Sequence, residues 1–343
     1  MDAIIDQKHI DHFIQVVSDS KNLVIVPHIN PDGDAIGSCV GLQRILLNMG
    51  KHARVIIPND FPDFLGWMKG SDEVIDFEKS PELAAEQIKQ ADTLCVLDFN
   101  DVSRTERMST LLTTFKGNKI MIDHHPYPQT KCNVMISYPE VCSTCELVFR
   151  VAHRAGYLQY IDKDAADAIF TGMMTDTGNF SYNASDPETY RIIAHLLEIG
   201  IDKDVIHSNV YHTFSEDRWR LIGHSLKEKM VILPEYKTGY ISLTKAELDS
   251  YNFQPGDTEG LVNYPLMVKG IVFCVFFMEK DDIVKVSLRS KGNFSVNDFA
   301  RAHFTGGGHN NAAGGRTDLK IDEAVDKLVS LLPQYQTELL NSI

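Results

Sequence analysis

Three short apolar segments in the first half of the chain each end in a cluster of aspartate and histidine side chains. The segments are Leu23 to Val26, Thr93 to Leu97 and Lys119 to Ile122, and each has the apolar character of a strand buried on both faces. Helical patterns separate them, and the order strand, helix, strand predicts a parallel α/β sheet with helices on both faces. Because the carboxyl ends of parallel strands line one edge of such a sheet, we expect the clusters to meet there.

The three clusters consist of side chains that divalent cations use as ligands. They read His28-Ile29-Asn30-Pro31-Asp32-Gly33-Asp34, Asp98-Phe99-Asn100-Asp101 and Asp123-His124-His125. Carboxylates this close together repel one another, and a fold tolerates them when a cation lies between them. A further carboxylate, Asp176, ends the helix predicted over residues 164–175, where the helix dipole favours a nearby cation. The sequence therefore predicts a metal site at this sheet edge.

The first cluster has a simpler interpretation when it is taken alone. Asparagine, aspartate, proline and glycine are the usual residues of surface turns, so a plain turn is the alternative. A calcium loop of the EF-hand type is excluded, since Ala35 and Gly41 occupy positions where that loop requires glycine and glutamate. The metal interpretation thus depends on the ligands that the other clusters supply.

Composition limits the partners and the compartment. The chain has 343 residues, enough for two domains, and a formal net charge of −14, which argues against binding long duplex nucleic acid but not a small anionic substrate. The first residues lack a secretory pattern, and the longest apolar run, Ile271 to Met278, is too short to cross a bilayer. The six cysteines lie mostly in apolar segments, as in a reducing compartment. We therefore expect a cytoplasmic protein without membrane association, in which Cys142 and Cys145 serve packing rather than zinc binding.

The second half of the chain predicts a smaller α/β domain. Its expected strands and helices cover Gly239 to Leu243, Ile271 to Met278, Ile283 to Leu288, residues 296–304 and residues 321–332. Helical periodicity weakens between the two halves. We therefore expect a metal-binding domain over residues 1–200, a linker over 201–220 and a substrate-binding domain over 221–343.

A glycine-rich segment in this second half is a candidate phosphate site. Gly306, Gly307 and Gly308 precede His309, and the segment matches neither the dinucleotide fingerprint nor the P-loop. Backbone N–H groups of consecutive glycines can surround a phosphate, and His309 can add a side-chain donor. Arg289 continues the polar face of the preceding strand and can bind phosphate through two N–H groups. The alternatives are a plain turn for the glycines and a solvated strand end for Arg289.

As a set, these motifs resemble those of the DHH phosphoesterase superfamily, which is named for the triplet found here as Asp123-His124-His125. The matching segments are His28-x-Asn30-Pro31-Asp32-x-Asp34, Leu97-Asp98-x-x-Asp101, Asp123-His124-His125 and Thr175-Asp176-Thr177-Gly178. The glycine segment is similar to the substrate loop of the C-terminal domain that accompanies one DHH subfamily, with Thr305 in place of that loop's first glycine.

The resemblance implies a centre of two divalent metal ions, usually manganese, that activates water for in-line displacement at phosphorus. The implied ligands are His28, Asp32 and Asp98 for one ion and Asp34, Asp98, His124 and Asp176 for the other, with Asp98 shared. His125 would donate to a phosphoryl oxygen, and Asp123 and Asp101 would orient the ligands. The implied substrate contacts are Arg104, Arg289, Gly306, Gly307, Gly308 and His309. A structural hydrogen bond is the alternative for His125, Asp123, Asp101 and Arg104.

Among relatives with this two-domain layout, the resemblance is greatest to the nanoRNase and pAp phosphatase group. Those enzymes degrade very short oligoribonucleotides to mononucleotides and remove phosphate from adenosine 3′,5′-bisphosphate. The resemblance implies a manganese-dependent phosphoesterase whose second domain closes across a cleft over short single-stranded RNA or a nucleoside bisphosphate. Hydrolysis of polyphosphate or of cyclic or linear dinucleotides is an enzymatic alternative, and a non-catalytic nucleotide-binding regulator is an alternative of another class. The sequence leaves open whether the protein is a homodimer.

Overall fold

The computed structural model describes residues 4–342 and divides the chain into two compact units, Met1–Thr213 and Phe214–Ile343. Each unit contains its own six-stranded sheet and its own buried apolar core. None of the described helices is both long and apolar enough to cross a bilayer.

The first unit is built on a parallel sheet. Its strands are β1 (Asn22–Val26), β2 (His52–Ile57), β3 (Ile75–Asp76), β4 (Thr93–Leu97), β5 (Asn118–Asp123) and β6 (Val134–Ser137). They lie in the order β3-β2-β1-β4-β5-β6, and every neighbouring pair is parallel. The parallel sheet predicted from the sequence is therefore confirmed.

Helices cover both faces of this sheet. They are α1 (Gln7–Asp19), α2 (Gly33–Asn48), α3 (Pro81–Gln90), α4 (Ser109–Thr114), α5 (Thr144–Arg154), α6 (Lys163–Asp176), α7 (Pro187–Ile199) and α8 (Lys203–Tyr211). Leu23 and Ile25 of β1 join one apolar core, with residues of α1 and α2, whereas Val24 and Val26 join a second core with residues of α3 and α4. Strand β1 is thus buried on both sides, which explains its continuous apolar character.

Glycines let helices α2 and α6 approach each other closely beside the first Asp-rich cluster. A Cβ atom at Gly37 would lie 2.6 Å from the carbonyl oxygen of Ala168, and one at Gly33 would lie 2.2 Å from Oγ1 of Thr175. Contacts this short leave no room for a side chain. The close packing brings the end of α6, with Asp176, next to the start of α2.

The second unit contains a mixed sheet. Its strands are β7 (Met230–Leu233), β8 (Thr238–Leu243), β9 (Phe273–Lys280), β10 (Ile283–Ser290), β11 (Thr305–Gly308) and β12 (Ala312–Thr317). Their order is β11-β12-β10-β9-β8-β7, with β8 and β9 parallel and the other pairs antiparallel. Its helices are α9 (Glu216–His224), α10 (Lys245–Ser250), α11 (Val296–His303) and α12 (Ile321–Asn341). The smaller α/β unit expected from the sequence is present.

The glycine segment forms a strand rather than the expected loop. Gly306 pairs with Gly315 and Gly307 with Gly314, so β11 and β12 make an antiparallel hairpin. A Cβ atom at Gly306 would lie 2.0 Å from the carbonyl oxygen of Gly314. Glycine is therefore required here by the close approach of two strands.

Helix α12 is longer than the sequence pattern indicated. It continues through Pro333 to Asn341, although proline removes an N–H donor and normally ends a helix. Leu332 and Leu339 are both buried. This apolar packing on either side of Pro333 compensates for the lost hydrogen bond.

The segment expected as a linker, residues 201–220, contains α8 and the start of α9. Asp202 caps α8 and Ser215 caps α9 through their side-chain oxygens. The border between the two units falls between Thr213 and Phe214.

Candidate metal centre

The carboxyl edge of the parallel sheet brings together the clusters that follow its strands. His28 follows β1, Asp98 follows β4 and Asp123 ends β5. The predicted metal ligands form two groups whose ligand atoms lie within 4.8 Å of one another: His28, Asp32 and Asp98 in one, Asp34, His124 and Asp176 in the other. The sheet edge and the end of α6 thus supply six side chains that can hold metal ions.

Asp98 lies between the two groups. Its Oδ2 is 3.4 Å from Nε2 of His28, and its Oδ1 is 3.6 Å from Nε2 of His124. The residue is buried and has a φ of 61°, a left-handed conformation that aspartate adopts more readily than most residues. Its two oxygens are therefore directed to different histidines, as a carboxylate shared by two ions requires.

His124 completes the second group. Its Nε2 lies 3.7 Å from Oδ2 of Asp34 and 3.6 Å from Oδ2 of Asp176. Nδ1 of the same ring lies 3.4 Å from the carbonyl oxygen of Val141, which can accept its proton. A neutral ring that donates from Nδ1 presents an unprotonated Nε2, the form that binds a metal ion.

His125 and Asp123 form a buried hydrogen-bonded pair. Nδ1 of His125 lies 2.8 Å from Oδ1 of Asp123, and this oxygen also accepts the backbone N–H of His125 at 3.1 Å. Among the residues that the structure describes, Oδ2 of Asp123 has no hydrogen-bond partner, although it is buried. Asp123 therefore orients the imidazole ring and adds negative charge to the floor of the site.

Helix α5 supplies contacts that the sequence pattern did not reveal. The backbone N–H groups of Thr144 and Cys145 donate to the Asp34 carboxylate at 2.6 and 2.8 Å, and Oγ1 of Thr144 donates to Oδ1 of Asp98 at 2.8 Å. The positive end of the helix dipole favours these carboxylates. Ser143 as the N-cap signalled where the helix starts, but nothing local signalled what that start contacts.

A buried charged network lies behind this helix start. Glu146, fully buried, accepts hydrogen bonds from Nε of Arg150 at 2.7 Å and from Oγ1 of Thr189 at 3.0 Å. Nη2 of Arg150 also contacts Glu146 and lies 3.2 Å from Oδ2 of Asp186, the N-cap of α7. The network fixes α5 against α7, and through α5 it fixes Thr144.

Proton affinities show how the site responds to its concentrated negative charge. Burial, reinforced by Asp98, raises the pKa of Asp34 to about 7, and burial raises the pKa of Asp123 to about 6. Burial and the charge of Asp32 raise the pKa of Asp98 well above its usual range. Burial alone would lower the pKa of His124, but the surrounding carboxylates raise it to about 9. The carboxylates therefore need positive charge between them, which protons or metal ions can supply.

The donor set fits hard or borderline divalent cations. It offers carboxylate oxygens and imidazole nitrogens, whereas the nearby thiol of Cys145 lies 3.6 Å from the carbonyl oxygen of Asp34 and donates to it. Burial raises the pKa of Cys145 well above its usual range, which favours the protonated thiol, and none of the candidate ligand groups among the described residues contains a cysteine. Burial, with the charge of Arg104, lowers the pKa of His28, which favours the neutral imidazole that metal ions bind. These observations support a metal centre.

Asp101 and Arg104 lie in the segment after β4. Oδ1 of Asp101 accepts the N–H of Ser103 at 2.8 Å and caps the 3₁₀ helix Val102–Met108. The carbonyl oxygen of Arg104 accepts the N–H of Ile29 at 2.8 Å. The guanidinium of Arg104 lowers the pKa of His28 electrostatically, so its charge acts on the site.

The remaining predicted site residues belong to the second unit. Arg289 lies on β10 opposite Ala312, and Nη1 of its guanidinium donates to the carbonyl oxygen of Leu288 at 3.0 Å. The N–H of Gly308 donates to Oδ1 of Asn297 at 2.9 Å, so this N–H has a protein acceptor. His309 follows in the hairpin turn.

Known proteins resemble this chain over both units. The model of the DHH family, N-terminal domain, matches residues 22–173, and the model of the DHHA1 domain matches residues 239–337. The bifunctional oligoribonuclease and PAP phosphatase NrnA of Thermus thermophilus is 29% identical over 92% of this chain and 90% of its own length. Cyclic-di-AMP phosphodiesterase PdeA of Listeria monocytogenes is 26% identical over 94% of this chain, which covers 49% of that protein.

One solved structure is similar over nearly the whole chain. It is the crystal structure of an exopolyphosphatase-related protein from Bacteroides fragilis, with a TM-score of 0.94 and 46% identity over 99% of both chains. The two domain matches cover most of both structural units and together give the family of this chain. The chain is a member of the DHH family and carries a DHHA1 domain in its second half.

Proposed function

We propose that this chain is a metal-dependent phosphoesterase that hydrolyses short oligoribonucleotides to mononucleotides and converts adenosine 3′,5′-bisphosphate to AMP. The observation that carries the proposal is the position of Asp98 between two groups of histidine and aspartate ligands at one sheet edge. NrnA of Thermus thermophilus, similar over 92% of this chain, is named for both activities. The similarity also covers 90% of that relative's own length.

The proposed metal ligands are those of the two groups at the sheet edge. His28, Asp32 and Asp98 would hold one ion, and Asp34, Asp98, His124 and Asp176 the other, with manganese as the expected metal because the donors are nitrogen and oxygen without thiolate. When bound, two such ions supply Lewis acidity for an in-line displacement at phosphorus. Four aspartates balance the formal charge of two divalent cations, which makes the buried cluster electrostatically reasonable.

The chain's own residues would position and polarise the substrate. His125, with Nδ1 held by Asp123, would direct Nε2 to a phosphoryl oxygen as negative charge develops there. Arg104 would add positive charge near His28 and the phosphate. In the second unit, Arg289 and His309, with the glycine segment Gly306 to Gly308, would bind a substrate phosphate. The N–H of Gly308 would not take part, because it already donates to Asn297.

The same chemistry fits other phosphate substrates, and two of them have support from relatives. The Bacteroides fragilis protein is described as exopolyphosphatase-related, and PdeA acts on cyclic-di-AMP. Initial rates with manganese on a two- to five-nucleotide RNA, adenosine 3′,5′-bisphosphate, cyclic-di-AMP and inorganic polyphosphate would separate these activities. We expect the first two to be the best substrates. A faster rate on polyphosphate or cyclic-di-AMP would replace the proposal, and binding without turnover under any metal would indicate a nucleotide-binding regulator.

The proposed setting is the cytoplasm, without membrane association. The cysteines are all free thiols, and most are buried, as is usual in a reducing compartment. We propose a metal-binding domain over residues 1–200 and a substrate-binding domain over residues 221–343, with residues 201–220 between them; the border between the two structural units falls inside that segment. Light scattering after size-exclusion chromatography would establish whether the protein is a homodimer.

Thr144→Val is expected to weaken manganese binding without unfolding the protein. Valine has nearly the shape of threonine and keeps the backbone N–H to Asp34, but it loses the hydroxyl that donates to Asp98 at 2.8 Å. Loss of such a partner behind a metal ligand costs about 10- to 100-fold in affinity. Isothermal titration of the metal-free protein with manganese, in the absence of substrate, measures the change.

Thr144→Ser is the matched control for this hydroxyl. It keeps the donor to Asp98 and should restore affinity to within about threefold of wild type, a difference smaller than one hydrogen bond provides. Equal affinities for the valine variant and wild type would mean that the hydroxyl plays no part in the metal centre.

A further inference from the structure

The hairpin of β11 and β12 turns through two asparagines directly after His309. The N–H of His309 donates to the carbonyl oxygen of Ala312 at 2.7 Å, and the N–H of Ala312 donates back at 3.4 Å, so Asn310 and Asn311 are the middle residues of the turn. Hairpin turns of this length favour a positive φ at one or both middle residues. Neither asparagine is among the described residues that have one. We therefore expect contacts from outside the hairpin to hold this turn.

Asn311 joins the turn to the end of β10. Its side-chain Nδ2 donates to Oγ of Ser290 at 2.8 Å and to the carbonyl oxygen of Gly292 at 3.0 Å. Its backbone carbonyl oxygen accepts the N–H of Ser290 at 3.0 Å. One residue thus makes three hydrogen bonds to the segment that directly follows Arg289, and Arg289 itself lies opposite Ala312.

The segment that receives these hydrogen bonds is itself held in place. Oγ of Ser290 donates to the carbonyl oxygen of Phe294 at 2.6 Å, and the N–H groups of Asn293 and Phe294 donate to Oγ of Ser342 at 3.1 and 3.2 Å. Ser290, Phe294 and Ser342 are all buried. Because this segment is buried and hydrogen-bonded, the amide of Asn311 meets two acceptors in fixed positions.

Helix α11 holds the other side of the turn. The N–H of Val296 donates to the carbonyl oxygen of Asn310 at 2.8 Å, and Oδ1 of the buried Asn297 accepts the N–H of Gly308 at 2.9 Å. Asn310 is exposed, and its Nδ2 donates to Oδ1 of Asn311 at 3.3 Å. The two asparagines therefore differ, since the amide of Asn311 bonds to the end of β10 whereas that of Asn310 bonds within the turn.

We propose that Asn311 is a positioning residue for phosphate binding, which holds the turn that carries His309 beside the strand end that carries Arg289. The inference rests on the proposed function, in which Arg289 and His309 bind a substrate phosphate. Two donors to one phosphate must keep a constant separation, because a hydrogen bond requires about 2.7–3.2 Å between donor and acceptor. Asn311 sets this separation before the substrate binds, so that less ordering remains to be done on binding.

The first test measures the steady-state kinetics of Asn311→Ala with manganese, on adenosine 3′,5′-bisphosphate and on a two-nucleotide RNA. The variant loses two hydrogen bonds that hold the turn, so KM should rise about tenfold on each substrate. The reaction itself is unaffected, so kcat should stay within about twofold of wild type. Partial unfolding would instead lower the apparent kcat and leave KM unchanged.

Asn310 offers a matched control of the same residue type in the same turn. Asn310→Ala should leave KM within about twofold of wild type, because its amide makes no hydrogen bond to the end of β10 among the described residues. Asn311→Asp keeps the shape of the side chain in case the alanine variant does not fold, but it replaces the Nδ2 donor with an oxygen that faces the carbonyl of Gly292. It should raise KM more than Asn310→Asp, which adds the same charge one residue away.

A double variant tests whether Asn311 acts through His309. When His309 is already replaced by alanine, no imidazole is left for the turn to position. Adding Asn311→Ala to His309→Ala should therefore raise KM by no more than about twofold, whereas two independent residues would multiply their effects. Hydrogen exchange of the metal-free protein gives a readout that needs no substrate. The amides of Ser290 and His309 should exchange about tenfold faster in Asn311→Ala and unchanged in Asn310→Ala.

Three results would overturn the positioning role while wild-type hydrolysis still stands. They are an unchanged KM in Asn311→Ala, an equal rise of KM in Asn310→Ala, and fully multiplicative effects of the Asn311 and His309 substitutions. Unchanged exchange of the Ser290 and His309 amides would also overturn it, because the turn would then keep its place without the Asn311 amide. A wild-type protein that hydrolyses neither RNA nor adenosine 3′,5′-bisphosphate would overturn the proposed function and this inference with it.

Discussion

Asp98→Ala is expected to lower kcat on a short RNA by about three orders of magnitude or more, since even partners behind the ligands change activity 10- to 100-fold. Asp98 lies between both groups of candidate ligands, with Oδ2 3.4 Å from Nε2 of His28 and Oδ1 3.6 Å from Nε2 of His124. In the proposed centre its loss would remove the ligand that the two ions share. Turnover at saturating manganese and the number of ions bound per chain in calorimetry measure the effect, and we expect fewer than two ions.

Two companion variants distinguish the loss of metal binding from unfolding of the protein. Asp98→Asn keeps an acceptor for Thr144 but removes a negative charge from a crowded, buried cluster, so its melting temperature in EDTA should equal or exceed that of wild type. Asp72→Ala removes an exposed aspartate of the same unit and should keep full activity. Substantial turnover by Asp98→Ala, with two ions still bound, would contradict the shared-ligand assignment.

The parallel sheet, and the convergence of the aspartate and histidine clusters at its edge, could be predicted because each strand and its cluster lie within one short segment of the sequence. The apolar runs of β1, β4 and β5 lie within two residues of the bounds read from the sequence. Parallel strands must place their carboxyl ends at one edge, so His28, Asp98 and His124 were expected to converge before any contact was known. The order and direction of the strands were sufficient for this prediction, and no knowledge of side-chain contacts was needed.

Contacts between distant segments could not be predicted in the same way. Thr144 is 110 residues from Asp34 and 46 from Asp98, and its own neighbourhood indicates only a helix start. The glycine hairpin was missed because consecutive glycines have no strand preference of their own, and only the approach of Gly314 makes Gly306 a strand residue. For Thr144 the decisive partners are far away in the sequence, and for Gly306 the partner is a glycine that offers no side-chain pattern to recognise.

Arg150→Met is expected to reduce the free energy of unfolding by about 3–5 kcal/mol, the usual effect of leaving one member of a buried ion pair without its partner. Glu146 is fully buried, and the guanidinium of Arg150 donates to it through Nε at 2.7 Å. Methionine fills a similar volume, so the lost free energy of unfolding reflects the removal of the positive charge and not the creation of a cavity. Urea denaturation of the metal-free protein, followed by circular dichroism, measures the change.

Arg154→Met and the double variant Glu146→Gln/Arg150→Met test the cause of this loss. Arg154 lies one turn farther along α5 and donates to the carbonyl oxygen of Ile5 at 3.1 Å in a less buried setting, so its replacement should cost about 1 kcal/mol or less. The double variant leaves no buried charge without its partner, since the remaining carboxylate of Asp186 is exposed, and it should recover most of the stability lost in Arg150→Met. A double variant no more stable than Arg150→Met would mean that packing, and not the buried charge of Glu146, holds α5 in place. If the charge is responsible, Arg150→Met should also weaken manganese binding, because the displaced start of α5 carries the N–H groups that hold Asp34.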